Sequence, residues 1–169
     1  MASKSGKKTE PDLSAILEGL ARADVRFILV GGLAAVVQGA PVTTMDVDIV
    51  HDRSSENVSK LFRFLESIDA VYRRPDEKIV LPNESDFTAM GHMLLSTRFG
   101  PLDILSFVEN DKTYEDLVGH TVKVKFRGHS IQVLDLRTLV ELKRSSNDPA
   151  ERQRLTVLEE TLRQLERKT

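Results

Sequence analysis

The chain alternates between two kinds of hydrophobic spacing, and the switches between them outline the elements. Between Pro11 and Ala23, apolar residues fall at Leu13, Ile16, Leu17 and Leu20, the spacing of one helix face. Val25 to Val30 is apolar except for Arg26 and predicts a buried strand, ended by Gly31-Gly32 and followed by a short helix over Leu33 to Gln38. Met45-Asp-Val-Asp-Ile-Val50 alternates strictly, so Asp46 and Asp48 project from one face while Val47 and Ile49 enter the core. Ser54 is placed to cap a helix reaching Asp69, with Val58, Leu61, Phe62, Leu65 and Ile68 inward. The polar, proline-bearing segment Arg73 to Phe87 reads as a loop or a short edge strand. Two hairpins are predicted, Ala89 to Thr97 with Leu102 to Val108, and Thr121 to Phe126 with Ser130 to Leu134, with a short helix near Tyr114 to Val118 between them. Asp135 and Pro149 then begin two closing helices.

One feature of this pattern conflicts with an inert fold. A strand face carrying two acids at period two normally meets solvent, yet this strand follows a buried one and a glycine turn. Two carboxylates two residues apart lie about 6–7 Å apart at their Cα atoms and can share a hard cation. Uncompensated, such a pair costs several kcal/mol at an effective dielectric near 20. Asp103, in the apolar run Leu102-Asp-Ile-Leu105, is the best candidate for a third carboxylate, because a lone charge there is expensive to bury. Asp86, Glu109 and Asp116 are weaker, each lying in a polar stretch. The glycine pair, between a strand and a helix, lets backbone N–H groups approach a phosphate. Thr43 and Thr44 lie just before the acidic strand, where their hydroxyls can join such a contact.

Gly31-Gly32 after a strand, a thirteen-residue gap, the acid–hydrophobe–acid pair Asp46-Val-Asp48 and a later acid between hydrophobes, Asp103, resemble the motif set of the DNA polymerase β-like nucleotidyltransferase superfamily. The size is similar to that of its minimal bacterial members of the toxin and abortive-infection type. The resemblance spans about residues 26–108. It implies an α+β fold, a polymerase-palm-like mixed sheet with helices on one face and a helical C-terminal segment. It also implies that Asp46, Asp48 and Asp103 are catalytic and hold two Mg²⁺ ions, that Gly31, Gly32 and Thr44 contact the triphosphate of an NTP donor, and that Lys143 neutralises its phosphates. The implied reaction moves a nucleoside monophosphate to an acceptor hydroxyl with release of pyrophosphate. The acceptor stays open among an RNA end such as that of a tRNA, a protein and a small molecule such as an antibiotic. An alternative of another class is a catalytically degenerate binding or regulatory module in a toxin–antitoxin system, with an antitoxin as partner.

Bulk properties narrow these readings only slightly. The 169 residues suit one domain, expected over residues 11–169, with a catalytic sheet over about 25–134, closing helices over about 135–168 and a disordered leader over 1–10. No apolar run is long enough to span a bilayer, and the absence of cysteine removes disulfides and thiolate metal sites. Both fit a cytoplasmic protein. A formal charge of −2 supplies no global attraction to nucleic acid; Arg73-Arg74, Lys123/Lys125/Arg127 and Lys143-Arg144 are read chiefly as solvated charge. The chain lacks the glycine spacing of dinucleotide-binding and P-loop proteins. It also lacks a nucleophile elbow, and His51-Asp52 has no histidine partners at metal-ligand spacing.

Overall fold

The computed structural model describes residues 10–168; the leader predicted over 1–10 therefore lies, apart from Glu10, outside the described residues. Helix α1 (Leu13–Arg22) is capped by the Asp12 carboxylate, which accepts from the Ala15 amide, and it buries Ile16, Leu17 and Leu20 as their spacing predicts. Strand β1 (Phe27–Val30) is buried at all four positions, and α2 (Gly31–Val37) starts directly at the glycine pair. Strand β2 (Val47–His51) follows, then α3 (Ser55–Ser67) and the two-residue edge strand β3 (Val71–Tyr72).

A 3-10 turn (Glu84–Phe87) precedes the hairpin of β4 (His92–Thr97) and β5 (Gly100–Leu105). The second predicted strand of this hairpin is split. Regular pairing ends at Leu105, and Phe107–Val108 forms β6, paired with β7 (Lys112–Thr113) in a small separate ribbon. Helix α4 (Tyr114–Leu117) leads to the hairpin of β8 (Thr121–Phe126) and β9 (His129–Leu134). Helices α5 (Leu136–Arg144) and α6 (Pro149–Arg167) close the chain, with Asp135 and Asp148 accepting from first-turn amides.

Seven strands form one sheet in the order β3-β4-β5-β2-β1-β9-β8. The pairs β2–β5 and β1–β9 are parallel and the others antiparallel, so the sheet is mixed, as the α+β reading requires. The apolar core runs through the central strands and takes in side chains from α1 to α6. On α3 the inward set differs from the predicted one, because Phe64 is buried and Phe62 only partly so. A β-carbon at Gly19 of α1 would lie 2.3 Å from the Phe64 ring, so the glycine makes the space that turns Phe64 inward. Phe62 instead packs on Phe87, with ring centroids 6.3 Å apart.

Buried Asn57 ties three elements together: its Oδ1 accepts from the Arg26 amide, and its Nδ2 donates to the carbonyls of Arg26 and Asp52. His51 is a core residue whose Nε2–H donates to the Phe87 carbonyl at 2.7 Å, while Asp52 pairs with Arg26. Both are thereby occupied in structure. No helix among the described residues is long and apolar enough to cross a membrane.

Candidate active site

The three predicted acids converge because β2 and β5 lie side by side in parallel. Asp48 is the direct register partner of Asp103, and Asp46 lies just before β2. Carboxylate oxygens of Asp46, Asp48 and Asp103 all lie within 4.8 Å of one another. Burial, followed by the charges of Asp46 and Asp103, pushes the Asp48 carboxyl up to about 7. The cluster therefore carries more negative charge than its surroundings balance. Oxygen-only donors with a charge deficit suit a hard divalent cation, so these residues fit Mg²⁺.

Gly31 has a use that its strand–helix position did not disclose. Its φ is +71°, and an added β-carbon would fall 2.2 Å from Asp48 Oδ2. The missing side chain is the space in which the Asp48 carboxylate sits. Gly31→Ala is expected to destabilise the fold by at least about 2 kcal/mol, from strained backbone plus displacement of Asp48, and to weaken Mg²⁺ binding. Denaturant unfolding with and without Mg²⁺ measures both effects.

Gly32 faces Thr44: an added β-carbon there would lie 3.1 Å from Thr44 Oγ1 and 3.3 Å from Arg154 Nη1. The Thr44 hydroxyl is directed at Asp46, 3.4 Å from Oδ1. Lys143, on the last turn of α5, reaches the cleft and pairs with Glu151 at 2.6 Å and Glu109 at 3.3 Å. Burial works against its charge, but the Glu151 hydrogen bond and the Glu109 carboxylate hold the ammonium above its ordinary value.

Of the lesser acids, Glu109 joins this cluster. Asp86 accepts from the Tyr72 hydroxyl, and Asp116 caps the turn at Thr113. Sequence reasoning missed Arg73, whose Nη2 donates to Asp103 Oδ1 and to the Leu95 carbonyl, each at 2.8 Å. It sits in a polar loop segment, and only the β3–β4 pairing reveals which acid it meets.

Asp48 and Asp103 line a cleft of about 440 Å³, walled by β5, the β6–β7 ribbon, α5 and the start of α6. His92 and Phe107 stand on its floor with ring centroids 4.7 Å apart. Beyond Lys143 and Glu151 a second cavity of about 250 Å³ lies between α2, α5 and α6, and Gly31, Leu139, Lys143 and Glu151 border both spaces.

The chain has the fold of polymerase β-like nucleotidyltransferases. It is similar to the lincosamide antibiotic adenylyltransferase LnuA in its lincomycin-bound crystal structure, with a TM-score of 0.57 and 16% identity over 87% of this chain and 94% of that one. It is also similar to a Thermotoga maritima protein assigned as a nucleotidyltransferase, with a TM-score of 0.52 and 20% identity over 93% of this chain and 91% of that one. No family model and no curated protein matches the sequence, so the likeness is one of fold.

Proposed function

We propose that this chain is a Mg²⁺-dependent nucleotidyltransferase that moves a nucleoside monophosphate from an NTP to a hydroxyl of a small molecule, releasing pyrophosphate. The observation that carries the reading is the convergence of Asp46, Asp48 and Asp103 within 4.8 Å beside the Gly31-Gly32 turn, at a cleft that Asp48 and Asp103 line. In the reaction the acceptor oxygen bonds to the α-phosphorus, the bond from that phosphorus to the pyrophosphate oxygen breaks, and the hydroxyl proton leaves.

Mg²⁺ held by the three aspartates would supply charge neutralisation of the phosphates and acidification of the attacking hydroxyl. The remaining work belongs to the chain. Gly31 and Gly32 admit the phosphates to the backbone, Thr44 orients Asp46, and Arg73 fixes one oxygen of Asp103. The other side of Asp103 is left to meet the acceptor and help take its proton. Residues 11–169 are taken to act as one domain, since a single apolar core joins the sheet to both closing helices.

A small-molecule acceptor is supported by two things. LnuA, which this chain covers almost end to end, is a lincosamide adenylyltransferase. The larger cleft has a volume typical of small-molecule sites and presents Asp48, Asp103, Glu109, Asp111 and Glu151 against one lysine, an unfavourable lining for a polyanionic RNA end. A degenerate binding module would have no use for three acids held at mutual expense.

The test is incubation with each α-labelled NTP, Mg²⁺ and fractionated cell extract. Label is expected in the small-molecule fraction and is expected to vanish with EDTA and in Asp46→Ala. Label confined to RNA or protein would replace the acceptor class. The absence of label in every fraction, with Asp46→Ala behaving as the wild type does, would overturn the enzyme reading.

A further inference from the structure

The residue that sequence reasoning assigns to the donor phosphates, Lys143, has its charge already matched. It lies between Glu151 at 2.6 Å and Glu109 at 3.3 Å, and the three together carry one net negative charge. A triphosphate approaching this lysine meets two carboxylates as well.

Arg154 stands differently. It lies one helical turn beyond Glu151 on α6, on the border of the 250 Å³ cavity that Gly31, Gly32 and Lys143 also line. Among the described residues it makes no salt bridge within contact distance, although its charge is felt by Glu151, and its Nη2 donates to the Thr43 carbonyl at 3.2 Å. Its other terminal nitrogen is 3.3 Å from the point where a β-carbon on Gly32 would lie, and Thr44 Oγ1 is 3.1 Å from that same point. A guanidinium with spare donors, a glycine backbone without a side chain and a hydroxyl thus lie in close contact, and the 250 Å³ cavity that Gly32 and Arg154 line lies beside them, next to the aspartates but not among them. That set matches a phosphate chain, whose oxygens accept forked N–H donors.

We infer that Arg154, rather than Lys143, is the cation that receives the non-transferred phosphates of the donor nucleotide, an inference that rests on the transfer reading above. It gives the C-terminal helix a role in donor binding, with Lys143 and its two carboxylates holding α5, α6 and the 109–111 turn in place around the cleft.

The test uses calorimetry on the full chain with each Mg-NTP and the corresponding Mg-NMP. Arg154→Gln is expected to weaken every Mg-NTP that binds the wild type by about tenfold or more and to leave NMP affinity unchanged, because an NMP lacks the phosphates concerned. Arg154→Lys, a point charge without the fork, is expected to fall between the two. Arg154 is exposed, so the melting temperature without nucleotide should not move. Unchanged NTP affinity in Arg154→Gln, or a parallel loss of NTP and NMP binding, would overturn the assignment while leaving the transfer reading intact. A wild-type chain that binds no Mg-NTP at all would remove both.

Discussion

Asp48→Asn is expected to raise the melting temperature of the cation-free protein by roughly 5 °C at pH 8 while abolishing nucleotidyl transfer. The stabilisation follows from the setting of Asp48. Its carboxyl is buried beside Asp46 and Asp103 and is pushed up to about 7 from an ordinary 3.8. Holding that group ionised above pH 7 costs the native state on the order of 4 kcal/mol. Part of this returns when asparagine replaces it, the amide losing some of the hydrogen bonding. In a domain of this size each kcal/mol corresponds to roughly 2–4 °C. The loss of transfer follows because a neutral amide cannot replace the central carboxylate of a cation site, and a fall of at least about a thousandfold is expected. Calorimetric melting and label transfer, run on the same preparation, check the two halves. A variant that is both less stable in the absence of cation and fully active would refute this account of the cluster.

The second large effect is the pH dependence of cation binding. The folded-state value for Asp48 lies above the unfolded one, so the native state holds this proton more tightly than the unfolded chain does. Its contribution therefore favours the fold as pH falls from about 7 toward 4, and the full penalty is present above about 7. A divalent ion binds only the ionised form and must displace that proton below pH 7. Apparent Mg²⁺ affinity is expected to rise about tenfold per pH unit up to about 7 and then to level off. Titration calorimetry in buffers of differing ionisation enthalpy should find about one proton released per ion at pH 6 and almost none at pH 8.5. Proton release that is constant across this range would show that Asp48 is ionised in the free protein.

Arg73 and Lys143 divide the electrostatics of the site between them. Arg73 shares one nitrogen between Asp103 and the Leu95 carbonyl, so it holds the Asp103 side chain at a fixed position. Lys143 is committed to Glu109 and Glu151 and leaves Asp46 and Asp48 largely unbalanced. The residual charge therefore concentrates on the two acids of the Asp46-Val-Asp48 motif.

Local chemistry was enough to read much of this protein from its residues in order. Helices α1, α3, α5 and α6 follow from apolar spacing, with Asp135 and Pro149 marking the starts of the last two, and β2 follows from strict alternation; Ser54 stands at the N-cap of α3 but its side chain makes no capping bond. These are interactions between residues close in the chain, and the pattern records them directly. The candidate acids were legible for the same reason, because a carboxylate in an apolar strand is conspicuous without a structure.

What only the tertiary structure decided is which distant residues meet. The parallel pairing of β2 with β5 makes Asp103 the neighbour of Asp48, across a gap that no periodicity spans. The β3–β4 pairing brings Arg73 to Asp103. The packing of α6 carries Glu151 to Lys143 and Arg154 to Gly32, and the depth of Asp48 explains why Gly31 must lack a side chain. Sequence alone thus determined most of the elements and singled out the acids, but not the inward face of α3 nor the break after Leu105. The partner of each charge was set by sheet order and helix docking, because electrostatic neighbours are defined by distance in space, and in this chain those distances are closed by contacts up to about a hundred residues apart.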